Sequence, residues 1–171
     1  MKATVVFLIK DNKILLARKM KKIGAGLWNG YGGKPEPKDI SIRHTACREL
    51  YEESGMGIIT EPDHLIEVAD IDFYKNKASI ADFSVVFYIS YLWSGEAGDT
   101  EEMKDPTWFT LDDIPYGEML PADRDFMPKI LDKIINTDSL DKNKEIKNNT
   151  IIKGKVNFSE DMKSVLRSEY N

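Results

Sequence analysis

Disulfides are the first thing this chain lacks. Cys47 is its single cysteine, so no intrachain bridge can form, and a reducing, cytoplasmic setting is the expectation. A basic face is missing too: 24 Lys and Arg stand against 29 Asp and Glu, a formal net charge of -5. That balance excludes a nucleic acid polymer as the natural partner, because phosphate contacts along a strand need positive charge. A small polyphosphate stays within reach if divalent cations bridge the like charges. No apolar run is long enough to cross a membrane as a helix. The longest, residues 83–93, has 11 residues and contains two serines. The first nine residues show no signal-peptide cleavage pattern, and no internal repeat is present. What remains is a globular composition, 42% hydrophobic and 31% charged, at a length that suits one domain over residues 1–171. Oligomeric state is not written in these features, and a monomer is the default expectation.

Residues 4–9 are β-branched and apolar and predict a strand. Asp11-Asn12 is a turn signal, and residues 13–18 predict the returning strand of a hairpin. A glycine-rich stretch follows at 24–34, where Gly26, Gly30, Gly32 and Gly33 suggest backbone approached closely by another group. Pro35 and Pro37 keep residues 34–39 a loop. A helix is expected over 41–54, with Ser41 or Asp39 as N-cap and Gly55 as stop. Strands are expected at 64–75 and 80–93, the second with Phe83, Val85, Phe87, Ile89, Tyr91 and Trp93 alternating toward one core face. Residues 94–105 read as an acidic loop, 108–111 as a short strand and 112–115 as a turn. A helix over 123–136 carries Ile130, Leu131, Ile134 and Ile135 on one side. Residues 137–149 read as a polar surface loop, 151–158 as a last strand and 159–168 as a last helix. This order is α+β or α/β with a mixed sheet, not a Rossmann alternation.

The chemistry concentrates in Arg48-Glu49-Leu50-Tyr51-Glu52-Glu53-Ser54-Gly55-Met56. At about 100° per residue, Glu49, Glu52 and Glu53 share one helical stripe, while Ala46 and Leu50 lie beside it and can face a core. Three adjacent carboxylates repel one another, and helix stability does not ask for them. A hard divalent cation does, since Mg2+ prefers carboxylate oxygen and lets substrate phosphates complete its shell. A solvated acidic face is the bland alternative. Against it stand Arg48, four residues from Glu52, the helix end at Gly55, and the loop Gly32-Gly33-Lys34 entering ahead of the helix.

Segment 33–56 resembles the Nudix box, which runs Gly, five residues, Glu, seven residues, then Arg-Glu-apolar-x-Glu-Glu-x-Gly-apolar. The second half matches at every fixed position. In the first half the loop is one residue longer and the expected Glu is replaced; Asp39 is the candidate stand-in, and whether it pairs with Arg48 stays open. The resemblance implies an α/β/α sandwich, a mixed sheet between helices. It also implies Mg2+- or Mn2+-dependent water attack on a phosphorus of a nucleoside diphosphate derivative. Glu49, Glu52, Glu53, Glu102 and the Gly32 carbonyl would be metal ligands, and Arg48, Glu49, Glu52 and Glu53 the catalytic group; which carboxylate takes the proton stays open.

The likeness extends over 19–34, 108–119 and 152–158 to the MutT-homologue type of oxidised-purine nucleoside triphosphatase. It implies a small-molecule nucleotide partner, with Thr4, Lys19, Asn29, Tyr31, Gly32, Gly33, Lys34, Leu120 and Asp123 lining its site. The base-reading segment departs: where the family has Trp, Pro and two Asp, this chain has Leu120-Pro121-Ala122-Asp123. Losing the stacking ring weakens base binding by roughly 1–3 kcal/mol unless Phe73, Trp28 or Phe126 replaces it. The expected activity is conversion of an oxidised purine nucleoside triphosphate such as 8-oxo-dGTP or 2-hydroxy-dATP to monophosphate and pyrophosphate. The alternatives are a Nudix hydrolase for another substrate (an unmodified NTP, a dinucleoside polyphosphate or ADP-ribose) and a nucleotide-binding module without turnover.

Overall fold

A computed structural model of the chain describes residues 1–135 and 151–171. The stretch 137–149, read above as a surface loop, lies outside the described residues. Among those described, the order is β1 (Lys2–Lys10), β2 (Lys13–Lys19), β3 (Trp28–Asn29), α1 (Ile42–Glu53), β4 (Ile58–Ile59), β5 (Ile66–Lys75), β6 (Phe83–Ser90), β7 (Ser94–Gly95), β8 (Met103–Thr110), α2 (Asp123–Ile135), β9 (Ile152–Phe158) and β10 (Val165–Tyr170). Eight strands make one sheet, ordered β10-β9-β5-β6-β1-β2-β3, with β8 also pairing β2; β4 and β7 pair separately. The β1–β6 and β5–β9 pairs are parallel and the remaining pairs antiparallel, so the sheet is mixed as expected. Asp11 and Asn12 turn the first hairpin with φ of 50° and 58°, the left-handed pair that a two-residue I′ turn requires.

Strand alternation feeds two cores. Val6, Leu8, Val86 and Tyr88 face one way and pack with Ala46 and Leu50 of α1. Phe7, Ile9, Phe87 and Ile89 face the other way and pack with Phe126, Met127, Ile130 and Ile134 of α2. The helices thus cover opposite faces of the sheet, and the strands between them are buried on both sides.

That double cover corrects one expectation. β6 does not bury a single face over 80–93. It is the shorter Phe83–Ser90, and Val86 and Tyr88 are as buried as Phe87 and Ile89 because β6 lies between β1 and β5 with a core on each side. β5 starts later than expected, after a 3-10 turn at Pro62–His64. β8 starts earlier, at Met103, and β7 lies within the segment read as a loop. Asp105 at φ 54° and a register shift opposite Leu16 and Arg18 bend β8, and Pro106 is tolerated there because β8 is an edge strand. The helix expected at 159–168 is a turn and a strand instead. The Ser159 N–H donates to the Ser164 carbonyl at 2.9 Å, the Ser164 N–H to Ser159 Oγ at 3.1 Å, and Met162 takes φ 58°. β10 then pairs with β9, since unpaired donors on that edge stabilise a strand more than an isolated polar helix would be stabilised alone.

Phe126 is wholly buried, with its ring 4.7 Å from that of Phe87. Phe126→Ala is expected to cost about 3–5 kcal/mol, read as a lower midpoint in urea unfolding. A loss under about 1 kcal/mol would mean that α2 docks loosely.

Candidate active site

Helix α1 is set by its ends. Ser41 is the N-cap, its hydroxyl accepting the His44 N–H, and Asp39 is free for another task. At the other end Ser54 is the C-cap, and Gly55 takes φ 76°, a left-handed stop that suits glycine. With Ala46 and Leu50 buried in the core, the stripe of Glu49, Glu52 and Glu53 faces the glycine loop.

The loop reaches the stripe by backbone. Tyr31 exchanges hydrogen bonds with Val6 at 2.7 and 3.1 Å, and the Thr4 N–H donates to the Gly33 carbonyl at 2.8 Å. Gly32, between them, turns its N–H the other way and donates to Glu53 Oε2 at 2.8 Å. Neither glycine could carry a side chain. A Cβ on Gly32 would overlap the Thr4 carbonyl, and one on Gly33 would lie 2.5 Å from the Glu49 carboxylate.

Arg48 ties loop to helix. Its Nε and Nη2 each donate to one oxygen of Asp39 at 2.9 Å, a two-pronged pair, and Nη2 also reaches the Lys34 carbonyl at 2.9 Å. Nη1 lies 3.0 Å from Glu52 and 3.1 Å from Glu49. The Arg48 and Asp39 side chains are only 12% and 5% exposed, so this pair is shielded from solvent. The arginine beside it holds the Asp39 carboxyl far below the usual carboxylate range, and Asp39 raises Arg48 in turn. Asp39 therefore occupies the place of the box's absent Glu.

Glu53 is the buried member of the stripe. Burial pushes its carboxyl up to about 7, against the opposing pull of the Gly32 N–H and the Lys19 charge. Burial also raises Glu49, with Arg48 opposing. Glu102, at the start of β8, completes the group across a cavity of about 350 Å³ shared with Glu36, Glu49, Glu52 and Glu53. Among the described residues no three carboxylates converge as a closed metal cage; their oxygens face Arg48 and Lys22. Mg2+ does not need such a cage, because it keeps waters and takes substrate phosphates as ligands. The donor chemistry fits: hard oxygens, and a buried carboxylate with too little positive charge beside it.

The remaining expected residues divide between the two faces. Thr4 and Tyr31 are fully buried, and neither hydroxyl has a hydrogen-bond partner among the described residues. Tyr31 packs in the α1 core, away from Asp123. Lys34 is exposed at the rim. Asn29 Oδ1 accepts the Gly30 N–H at 2.8 Å, so its carbonyl serves the turn. On the α2 side, Leu120 lies against Gly24, and Asp123 Oδ2 accepts the Leu120 N–H at 3.2 Å. Burial pushes the Asp123 carboxyl up to about 7. None of the three aromatics offered as a replacement stacking ring is open: Phe126 packs on Phe87, Phe73 on Phe83 and Phe158, and Trp28 lies under the Arg18 guanidinium at 4.3 Å. Lys22 and Arg18 were not singled out from the sequence. No motif marks either, and Arg18 is placed by its 2.7 Å pair with Glu118, its bond to the Gly26 carbonyl at 3.1 Å and the Trp28 ring.

The family profile described as NUDIX domain matches residues 1–130. The chain belongs to the Nudix family. Oxidized purine nucleoside triphosphate hydrolases of Danio rerio and Mus musculus are 34% and 35% identical to it over 131 residues, 76% of this chain and 79% of each relative. A MutT protein from Bacillus halodurans shares the Nudix fold with TM-score 0.72 over 99% of this chain and 97% of its own, at 17% identity. A MutT NUDIX hydrolase from Burkholderia pseudomallei is 26% identical, with TM-score 0.57 over 67% of this chain and 85% of its own. Among the described residues no helix of this Nudix hydrolase is long and apolar enough to cross a membrane.

Glu53 and Asp123 both keep protons that the unfolded chain would release at lower pH. The folded state therefore binds more protons between the ordinary carboxylate range and about 7, and stability falls as pH rises through that window. Asp123→Asn retains an oxygen for the Leu120 N–H and removes the ionisation. It is expected to raise Tm at pH 8 and not at pH 5, by calorimetry without metal. Equal effects at both pH values would contradict a buried, titrating Asp123.

Proposed function

We propose that this Nudix hydrolase acts in the cytoplasm on oxidised purine nucleoside triphosphates, such as 8-oxo-dGTP or 2-hydroxy-dATP, giving the monophosphate and pyrophosphate with Mg2+ or Mn2+. The observation that carries the hydrolytic part is the Glu49, Glu52 and Glu53 stripe, bound to Gly32 and braced by the Arg48–Asp39 pair. The substrate rests on the similarity to the oxidized purine nucleoside triphosphate hydrolases of Danio rerio and Mus musculus.

A divalent cation held by Glu49, Glu52, Glu53, Glu102 and the Gly32 carbonyl would neutralise phosphate oxygens and make the attacking water more acidic. Arg48 positions Glu49 and Glu52. Burial raises the Glu53 carboxyl to about 7, near neutrality, which would suit it to take a proton from water. The water oxygen bonds to phosphorus as the α–β linkage of the triphosphate opens, and pyrophosphate leaves. On the base side, Asp123 stands alone where the family has two aspartates. A single buried carboxyl that is still protonated near neutrality offers both an O–H donor and a carbonyl acceptor, which is part of what a proton-sharing pair provides. Lys34, exposed on the loop whose backbone Arg48 holds, would meet the phosphate chain.

The test is Mg2+-dependent turnover of 8-oxo-dGTP, 2-hydroxy-dATP, dGTP, dATP, a dinucleoside tetraphosphate and ADP-ribose, with products separated by chromatography. Preference for the oxidised purines with pyrophosphate released supports the proposal. Turnover confined to the other substrates would assign Leu120 and Ala122 to a different specificity. Glu53→Gln is expected to lower kcat at least about 100-fold with the fold intact by circular dichroism. Full turnover by that variant would remove Glu53 from the chemistry.

A further inference from the structure

The acidic cavity already contains a cation supplied by the chain. Lys22 Nζ lies 3.1 Å from Glu102 Oε2, and the charges of Glu53 and Glu49 also act on it. Lys22 stands in the β2–β3 loop with φ 63°, a left-handed conformation uncommon for a lysine. The loop is held to the start of β8 at two further points: the Met20 N–H donates to the Glu102 carbonyl at 2.8 Å, and Lys21 pairs with Glu101 at 3.0 Å. Residues 20–22 thus form a strap across 101–102, and only Lys22 points its charge at a proposed metal ligand.

We propose that Lys22 is a resident counter-cation of the active site, which holds Glu102 in the metal-free enzyme and is displaced when a divalent ion takes that carboxylate. The inference rests on the divalent-ion reading of the acidic group given above. An ammonium and a divalent cation cannot both sit at about 3 Å from one carboxylate without strong mutual repulsion, so metal binding and the Lys22–Glu102 contact exclude each other. The Lys22 side chain is 68% exposed and Glu102 37%, so the pair is weak and the competition amounts to a few-fold change in affinity. A weak placeholder neutralises the site without blocking it. Displaced, the ammonium stays at the cavity mouth, where the triphosphate enters.

The experiment is Mn2+ binding at low ionic strength, followed by electron paramagnetic resonance, on the full chain without nucleotide. Lys22→Met and Lys22→Gly are each expected to bind Mn2+ about three- to fivefold tighter than wild type. Glycine suits φ 63°, so Lys22→Gly removes the ammonium without straining the turn. Lys21→Met carries the same charge change at a rim pair whose Glu101 is 91% exposed, and it is expected to shift the affinity less than about twofold. In a Glu102→Gln background, Lys22→Met should have no further effect. Unchanged or weaker binding by the Lys22 variants overturns the inference, and so does an equal gain in Lys21→Met, which would reduce the effect to net charge. Wild-type protein that binds no Mn2+ would overturn the divalent-ion reading itself, whereas wild-type binding with unaltered Lys22 variants removes only the role of Lys22.

Discussion

The two-pronged contact between Arg48 and Asp39 is what the active site depends on. Loop 34–39 has two prolines and no strand or helix of its own, so nothing in its local backbone fixes where it runs. Arg48 supplies that placement from a helix already anchored by Ala46 and Leu50. One guanidinium holds Asp39, the Lys34 carbonyl, Glu49 and Glu52, and so sets the loop and the acidic stripe at once. The pair is largely screened from water, so removing either partner would leave a charge without compensation. The neighbouring glycines add a second constraint, since Gly32 and Gly33 let the β1 edge and helix α1 approach through backbone alone.

The fold concentrates negative charge in a chain that is already acidic. Each carboxylate in the cavity raises the cost of ionising its neighbours, and burial adds to that cost at Glu53 and Glu49. The chain answers with cations of graded strength. Arg48 is largely enclosed and permanent, Lys19 acts on Glu53 from β2, and Lys22 is exposed and weakly held. The stripe remains short of positive charge, the condition under which the proposed divalent ion would add the missing countercharge.

Much of this was legible in the sequence because the responsible patterns are local. The i, i+3, i+4 spacing placed the three glutamates on one stripe, Ser41 and Gly55 marked the helix ends, and Asp11-Asn12 marked the first turn. Asp39 was legible only as a candidate for the missing glutamate, because its pairing with Arg48 depends on the path of the longer loop. Other features depend on partners distant in the chain. Met162, Val165 and Leu166 imitate helical spacing, and only the open edge of β9 makes β10 a strand. The double burial of β6 follows from its place between β1 and β5, which no period-two pattern reveals. Lys22 carries no motif, and its role depends on a loop that brings it to Glu102, 80 residues away.

The base side follows a different logic from the metal side. Replacing a stacking ring with Leu120 and an aspartate with Ala122 removes both a flat surface and half of a proton-sharing pair. The aromatic residues nearby do not compensate, because Phe73, Phe126 and Trp28 are each committed to other rings or to Arg18. What remains is Asp123, buried, bonded to the Leu120 N–H and still protonated near neutrality. Its two oxygens are therefore unequal: Oδ2 accepts the Leu120 N–H at the turn into α2, and Oδ1 is the one that the proposed base contact would use. Discrimination at such a site comes from hydrogen bonding and shape rather than from stacking. A site of that kind would gain its selectivity from unpaired polar groups on the wrong base, so under the proposed function the hydrolytic machinery is retained while base preference would rest on one carboxyl.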